Sequence, residues 1–160
     1  MTYAIIALAF VAVVIIALTL YVKISRLVYT VPYKADELHF AVTPDGYKLA
    51  LYRRKPAKQK YSRPVIFCHG LGAGRYNLDF PGHSLAQFFA DAGFDVWVCE
   101  LRGAGASTTP HFWNCVSPHW TFDDLVEKDV PSMIEKVLEV TKADKAAWVG
   151  HSMGGMLMYA

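Results

Sequence analysis

The stretch Ala146-Ala147-Trp148-Val149-Gly150-His151-Ser152-Met153-Gly154-Gly155 decides how this chain folds. Residues 146–150 are an apolar run of strand length, and a helical pattern begins at Met153. Between them, Gly150 to Gly154 has the Gly-x-Ser-x-Gly spacing of a nucleophile elbow, which joins a buried strand to a helix. Such a turn is sharp and strained, and it lifts the serine hydroxyl above the strand ends. Glycines on either side let neighbouring backbone approach without a clash. Ser152 also stands at a helix N-terminus, where free N–H groups stabilise negative charge. The competing reading is an ordinary strand-to-helix turn with a capping serine.

The strand-then-turn pattern recurs upstream. Pro64-Val65-Ile66-Phe67-Cys68 runs into His69-Gly70-Leu71-Gly72-Ala73-Gly74, and the apolar run from Phe94 to Cys99 leads to Arg102-Gly103-Ala104-Gly105. Runs apolar on both faces belong to a sheet covered on both sides. Ser84 to Ala92 reads as a helix with Leu85, Phe88 and Phe89 on one face and Gly93 as its stop. A second helix starts at Thr121, with Asp123 and Asp124 at the positive end of its dipole. Pro131 predicts a kink or restart there, with Asp129 as a new N-cap. The turn Thr43-Pro44-Asp45-Gly46 precedes a strand over Tyr47 to Arg53. Strands alternating with helices predict an α/β domain, its sheet mostly parallel and flanked by helices.

His69-Gly70, about 80 residues before the elbow, is where this architecture supplies a second oxyanion donor. The expected donors are the backbone N–H groups of Leu71 and Met153, with Ser152 as nucleophile. His69 is expected to brace the loop by hydrogen bonds, and His151 to point away from the serine hydroxyl. The loop has neither a Gly-x-Gly-x-x-Gly fingerprint nor a Gly-Lys-Ser/Thr, so it is not a phosphate cradle.

With both motifs present, the sequence resembles the α/β-hydrolase superfamily, most closely the acid lipases of the gastric and lysosomal type. The likeness runs from about Thr43 to the end. It includes Thr-Pro-Asp-Gly-Tyr at 43–47, His-Gly-Leu at 69–71, the run from Leu85 to Trp97, Arg102-Gly103, the stretch from Trp120 to Pro131, and the elbow. Two features depart from that group: His-Ser-Met-Gly-Gly stands where it usually has His-Ser-Gln-Gly, and an apolar anchor precedes the domain. The resemblance implies attack by Ser152 on the carbonyl of an acyl ester or lipid, with Gly70, Gly150 and Gly154 shaping the site and no cofactor. It also implies a chain order of serine, then acid, then histidine. Only eight residues follow Ser152, so the acid and base are expected beyond residue 160 of a longer hydrolase. None of His39, His83, His111 or His119 has a geometric claim to be the base. An acyltransferase shares the acyl-enzyme and differs only in the second nucleophile. A tethered scaffold on a degenerate hydrolase fold is a third reading.

The first 22 residues carry no charge, which concentrates much of the 54% hydrophobic content there. The run is long enough to cross a bilayer, with Tyr3 and Tyr21 at its ends. It lacks the leading basic residue and small-x-small site of a cleaved signal peptide, so it reads as a single-pass transmembrane anchor. The expected organisation is an anchor at 1–22, a basic juxtamembrane linker at 23–42, and the N-terminal part of a hydrolase domain at 43–160. Residues 23–63 carry a net +7 and residues 64–160 a net −5. Basic charge directly after the span places the domain on the cytoplasmic side. Arg53, Arg54, Lys55, Lys58 and Lys60 suit anionic headgroups or form a solvated loop. Interleaved aromatics are missing there, so no nucleic-acid partner is expected; nothing fixes an oligomeric state. Cys68 and Cys99 read as buried free thiols. His111, Cys115 and His119 are a weak metal pattern, and no metal is expected. Phe112, Trp113 and Trp120 are expected to wall an acyl pocket or to pack.

Overall fold

A computed structural model describes residues 2–29, 31–111, 113 and 116–160. Phe112 and Cys115 lie outside the described residues. The chain forms two compact units, Met1–Pro32 and Tyr33–Ala160.

The first unit is helix α1, Thr2–Tyr29. At about 1.5 Å per residue its 28 residues measure roughly 42 Å. Its most apolar window has a mean hydropathy of 3.0, which suits a membrane span and equally a signal sequence. The Thr19 hydroxyl donates to the Ile15 carbonyl at 2.7 Å, so this polar group is satisfied inside the helix. The helix continues seven residues past Val22, into the segment read as linker.

The second unit holds β1 (Glu37–Val42), β2 (Lys48–Arg54), β3 (Val65–Cys68), β4 (Asp79–Phe80), β5 (His83–Ser84), α2 (Leu85–Ala92), β6 (Val96–Cys99), α3 (Phe122–Asp124), α4 (Val130–Thr141), β7 (Ala147–Gly150) and α5 (Met153–Met156). Five strands form one sheet in the order β1-β2-β6-β3-β7, and β4 and β5 pair separately. β1 therefore begins the domain six residues before Thr43, within the expected linker.

The sheet is mixed. β3 pairs in parallel with both β6 and β7, as expected. β1 with β2 and β2 with β6 are antiparallel, so the described part is less parallel than the sequence suggested. The cause is the connection: β1 and β2 are joined by a tight turn at 43–46, whereas the parallel strands are separated by helical crossovers. In that turn Gly46 has φ +88 and its N–H donates to Thr43.

Alternate residues along each strand face opposite sides. Ile66, Trp97, Leu49 and Leu51 pack with Met133 and Val137 of α4. Val65, Phe67, Val96 and Val98 pack with Ala86 and Ala90 of α2. The bounds of α2 match the sequence reading, with the Ser84 hydroxyl as N-cap and Gly93 left-handed as C-cap. Its buried face is centred elsewhere. Ala86 and Ala90 bring the helix close to the sheet, while Leu85 and Phe88 are 42% and 68% exposed.

The Thr121–Asp124 capping box opens the second helical stretch. The helix does not break before Pro131. It widens into a π turn over Leu125–Asp129, and Pro131, which has no N–H to donate, follows that turn at the start of α4. Asp129 is not an N-cap: its backbone is helical and its carboxylate is buried elsewhere.

Candidate active site

β3, β6 and β7 end in register, Cys68 beside Gly150 on one side and beside Cys99 on the other. Three loops therefore leave the sheet at one end: the His69–Gly74 loop, the Glu100–Ser107 loop and the elbow.

The elbow is strained as its motif demands. Ser152 has φ 52 and ψ −121, one of two described non-glycine residues with positive φ. Holding a side chain in such a region costs on the order of 1–3 kcal/mol, supplied by surrounding packing. That packing is visible in the glycines. A Cβ on Gly150 would stand 2.2 Å from the Gly154 carbonyl, and one on Gly154 would stand 2.5 Å from the Cys68 carbonyl oxygen. The His151 N–H donates to Cys68 at 3.0 Å, and the Trp148 indole donates to the Gly154 carbonyl at 2.8 Å. Strand, turn and helix are thus clamped together around an exposed Ser152.

The glycine loop touches this turn directly. A Cβ on Gly70 would lie 3.0 Å from the Ser152 Cβ. Among the described residues the N–H groups of Leu71 and Met153 donate to no acceptor. His69 is buried with both ring nitrogens engaged. The Leu101 N–H donates to Nε2 at 3.3 Å, which makes Nδ1 the protonated nitrogen that donates to the Gly70 carbonyl at 2.8 Å. His69 therefore braces the loop and has no free nitrogen for proton transfer. His39 is bonded to Glu37 and packs by Trp97 on the sheet.

Two buried ionic clusters hold the walls, and sequence reasoning assigned neither. Glu100 is 1% exposed. Its carboxylate accepts from the Arg75 guanidinium at 3.0 Å, the Ala106 N–H at 2.8 Å and the Tyr52 hydroxyl at 3.2 Å. It therefore ties the His69–Gly74 loop, through Arg75, to the Glu100–Ser107 loop. The second cluster centres on Arg102, which donates to Asp129 and to Asp45 and lies 4.2 Å from the Tyr47 ring centroid. Charged residues within three positions of the end of an apolar strand, as Glu100 and Arg102 are after Cys99, were the available signal.

Between these walls lies a cavity of about 620 Å³, lined by Leu71, Leu101, Trp120, Phe122, Leu125 and Met153 among others. That volume suits a small organic ligand. Trp120 contributes to the wall, whereas Trp113 is 85% exposed and does not line it. Burial pushes the Cys68 thiol up to about 12 and Cys99 well above its ordinary value, so neither is a nucleophile at neutral pH. Among the described residues no group of three His, Cys, Asp or Glu side chains is arranged to hold a metal ion.

A mixed sheet whose parallel strands end in a strained serine elbow and a His-Gly loop has a counterpart among known proteins. The chain belongs to the alpha/beta hydrolase fold family, whose model matches residues 63–160. It is lipase-like within that family. It is 37% identical over 129 residues to gastric triacylglycerol lipase of Bos taurus, which covers 74% of this chain and 32% of the relative. It is 35% identical over 139 residues to lipase lipl-1 of Caenorhabditis elegans, with 77% and 33% covered. The chain thus spans about a third of the length of the curated relatives it matches. An alpha-beta serine hydrolase homologue from Coxiella burnetii superposes with a TM-score of 0.60 at 20% identity, covering 79% of this chain and 57% of that one. A probable hydrolytic enzyme from Pseudomonas aeruginosa does so with a TM-score of 0.59 at 24% identity, covering 80% and 37%. At such identities the likeness is one of fold.

Proposed function

We propose that this chain carries the nucleophile and oxyanion hole of a serine ester hydrolase of lipase type, tethered to a membrane by α1. Ser152 attacks the ester carbonyl, and the Leu71 and Met153 N–H groups receive the oxyanion. His69 braces the loop, and Gly70, Gly150 and Gly154 give the turn its room. His151 sets the chain direction into the elbow without touching the reacting atoms. The acid and the histidine base come from residues C-terminal to Ala160, following the chain order of this fold. The acyl chain of the substrate occupies the cavity beside Trp120 and Phe122. Basic residues following α1 favour a cytoplasmic domain on an uncleaved single span.

One observation carries the reading: a positive-φ serine at a strand end whose Cβ lies against the glycine of a loop with free N–H groups. The test is fluorophosphonate labelling of the full protein in its native membranes. Ser152→Ala is expected to abolish the label. Undiminished labelling of that variant would remove Ser152 from the role.

A further inference from the structure

The basic run read from the sequence is broken up in the fold. Arg53 pairs with Asp95 through two bonds of 2.9 and 2.7 Å, Arg54 pairs with Asp79 at 2.6 Å, and Lys55 pairs with Glu37. These three cations serve the domain's own interior and edge. Topology gathers a different set. β3, β6 and β7 start in register, Val65 beside Val96 and Ala147, so the segments that lead into them lie at one end of the sheet. The antiparallel pairing of Glu37 with Arg53 and of Arg54 with Val96 brings the start of β1 and the end of β2 to the same end.

At that end Lys34, Lys58, Lys60, Arg63, Lys142 and Lys145 are exposed. Among the described residues none of the six enters an ion pair. Lys142 lies within the field of Glu139. The exposed carboxylates beside them are Asp36, Asp91, Glu139 and Asp144; Asp36 accepts from the Lys55 N–H, Asp91 from Gln87, and Glu139 pairs with Lys136. The end is therefore net positive, although residues 64–160 as a whole carry −5. Its central loop is held in place: the Lys60 N–H donates to the Gly93 carbonyl at 2.9 Å, and the Tyr61 ring stacks on Phe94 at 3.9 Å. Tyr61 is itself 47% exposed, a half-buried amphipathic ring among lysines. At the opposite end, Asp123 and Glu127 are exposed near the cavity.

We infer that the strand-start end of the domain docks on the surface of an anionic lipid bilayer. Charge complementarity argues for that occupant. So does chain continuity: Tyr33, the first residue of this unit, enters the fold at this end, directly after a segment apolar enough to cross a membrane. The interaction does not involve Ser152, and its test does not depend on catalysis.

The full protein is reconstituted in vesicles of phosphatidylcholine alone or with added phosphatidylserine. Its lysines are then acetylated by a water-soluble reagent and read by peptide mass. Labelling of Lys34, Lys58, Lys60 and Lys145 is expected to fall about threefold with the anionic lipid only, and to recover at high salt. Lys48, next to the turn at the other end, is the internal control and stays unchanged. The double change Lys58→Glu with Lys60→Glu, at exposed positions, should restore Lys145 labelling. Equal labelling in the two vesicles overturns the inference. So does protection already present in detergent, an equal fall at Lys48, or persistent protection of Lys145 in the double variant.

Discussion

Arg102 and Asp129 form a buried pair that fixes the cavity wall to the helix behind it. The guanidinium Nε and Nη2 reach Oδ1 at 2.8 and 2.5 Å, and the Arg102 N–H reaches Oδ2 at 3.1 Å. Their side chains are 1% and 0% exposed. Asp129 is the last residue of the widened turn, and from there its carboxylate faces the loop that carries Arg102.

Removing Arg102 strands the Asp129 carboxylate in the interior, whereas removing Asp129 leaves the guanidinium its fork to Asp45. Arg102→Ala is expected to cost about 3–5 kcal/mol of unfolding free energy, and Asp129→Ala less. Replacing both residues by apolar ones of similar volume should cost clearly less. Denaturant midpoints of the single and double variants check this. A double-variant loss equal to the sum of the two single losses would mean that the charges are not coupled.

Asp45 carries a pH dependence. Burial alone would raise its carboxyl, but the Arg102 fork and the Thr43 hydroxyl outweigh it and hold the group at about 2. An ordinary aspartate titrates near pH 3.9. The folded value is depressed, so this contribution is complete above about pH 4 and is lost as pH falls towards 2. Stability measured over that window should fall less steeply in Asp45→Asn than in the unaltered protein. An unchanged slope would show that other carboxylates dominate.

At the elbow, activity and stability should part company. Glycine relieves the positive φ of Ser152 and alanine does not, so Ser152→Gly is expected to be more stable than Ser152→Ala by about 1 kcal/mol. Gly154→Ala places a methyl group 2.5 Å from the Cys68 carbonyl oxygen and should destabilise the protein by at least about 1–3 kcal/mol. Thermal unfolding of the three variants orders them.

Trp120 bears on substrate choice. Truncating it to alanine lengthens the cavity, and the preference among ester substrates should move towards longer acyl chains. Comparing kcat/KM across a chain-length series tests this. A uniform loss at every length would make Trp120 a packing residue only.

Much of this was legible because buried strands declare themselves. Val65 to Cys68 and Val96 to Cys99 are covered on both faces, so they read as unbroken apolar runs that lead into glycine turns, whereas Ala147 to Gly150, equally apolar in sequence, is half-buried. β1 alternates as Glu-Leu-His-Phe-Ala-Val, but Leu38, Phe40 and Val42 are the exposed members, so the period-two signal marks a strand without marking its buried face. The buried face of α2 was not legible because large apolar side chains draw the eye, whereas packing close to a sheet selects Ala86 and Ala90. Charge pairing was the least legible layer. Arg54 meets Asp79, 25 residues away, and Arg53 meets Asp95, 42 residues away, so a local count of positive residues overstates what is free.

The parallel strands give the domain a direction. β3, β6 and β7 start at one end and deliver the elbow at the other, four residues or about 13 Å away before any loop is added. A bilayer resting against the strand-start end would lie behind Ser152. The mouth of the cavity would then open to the aqueous side, and an ester would arrive from solution, a micelle or an apposed surface rather than by sliding out of the leaflet beneath.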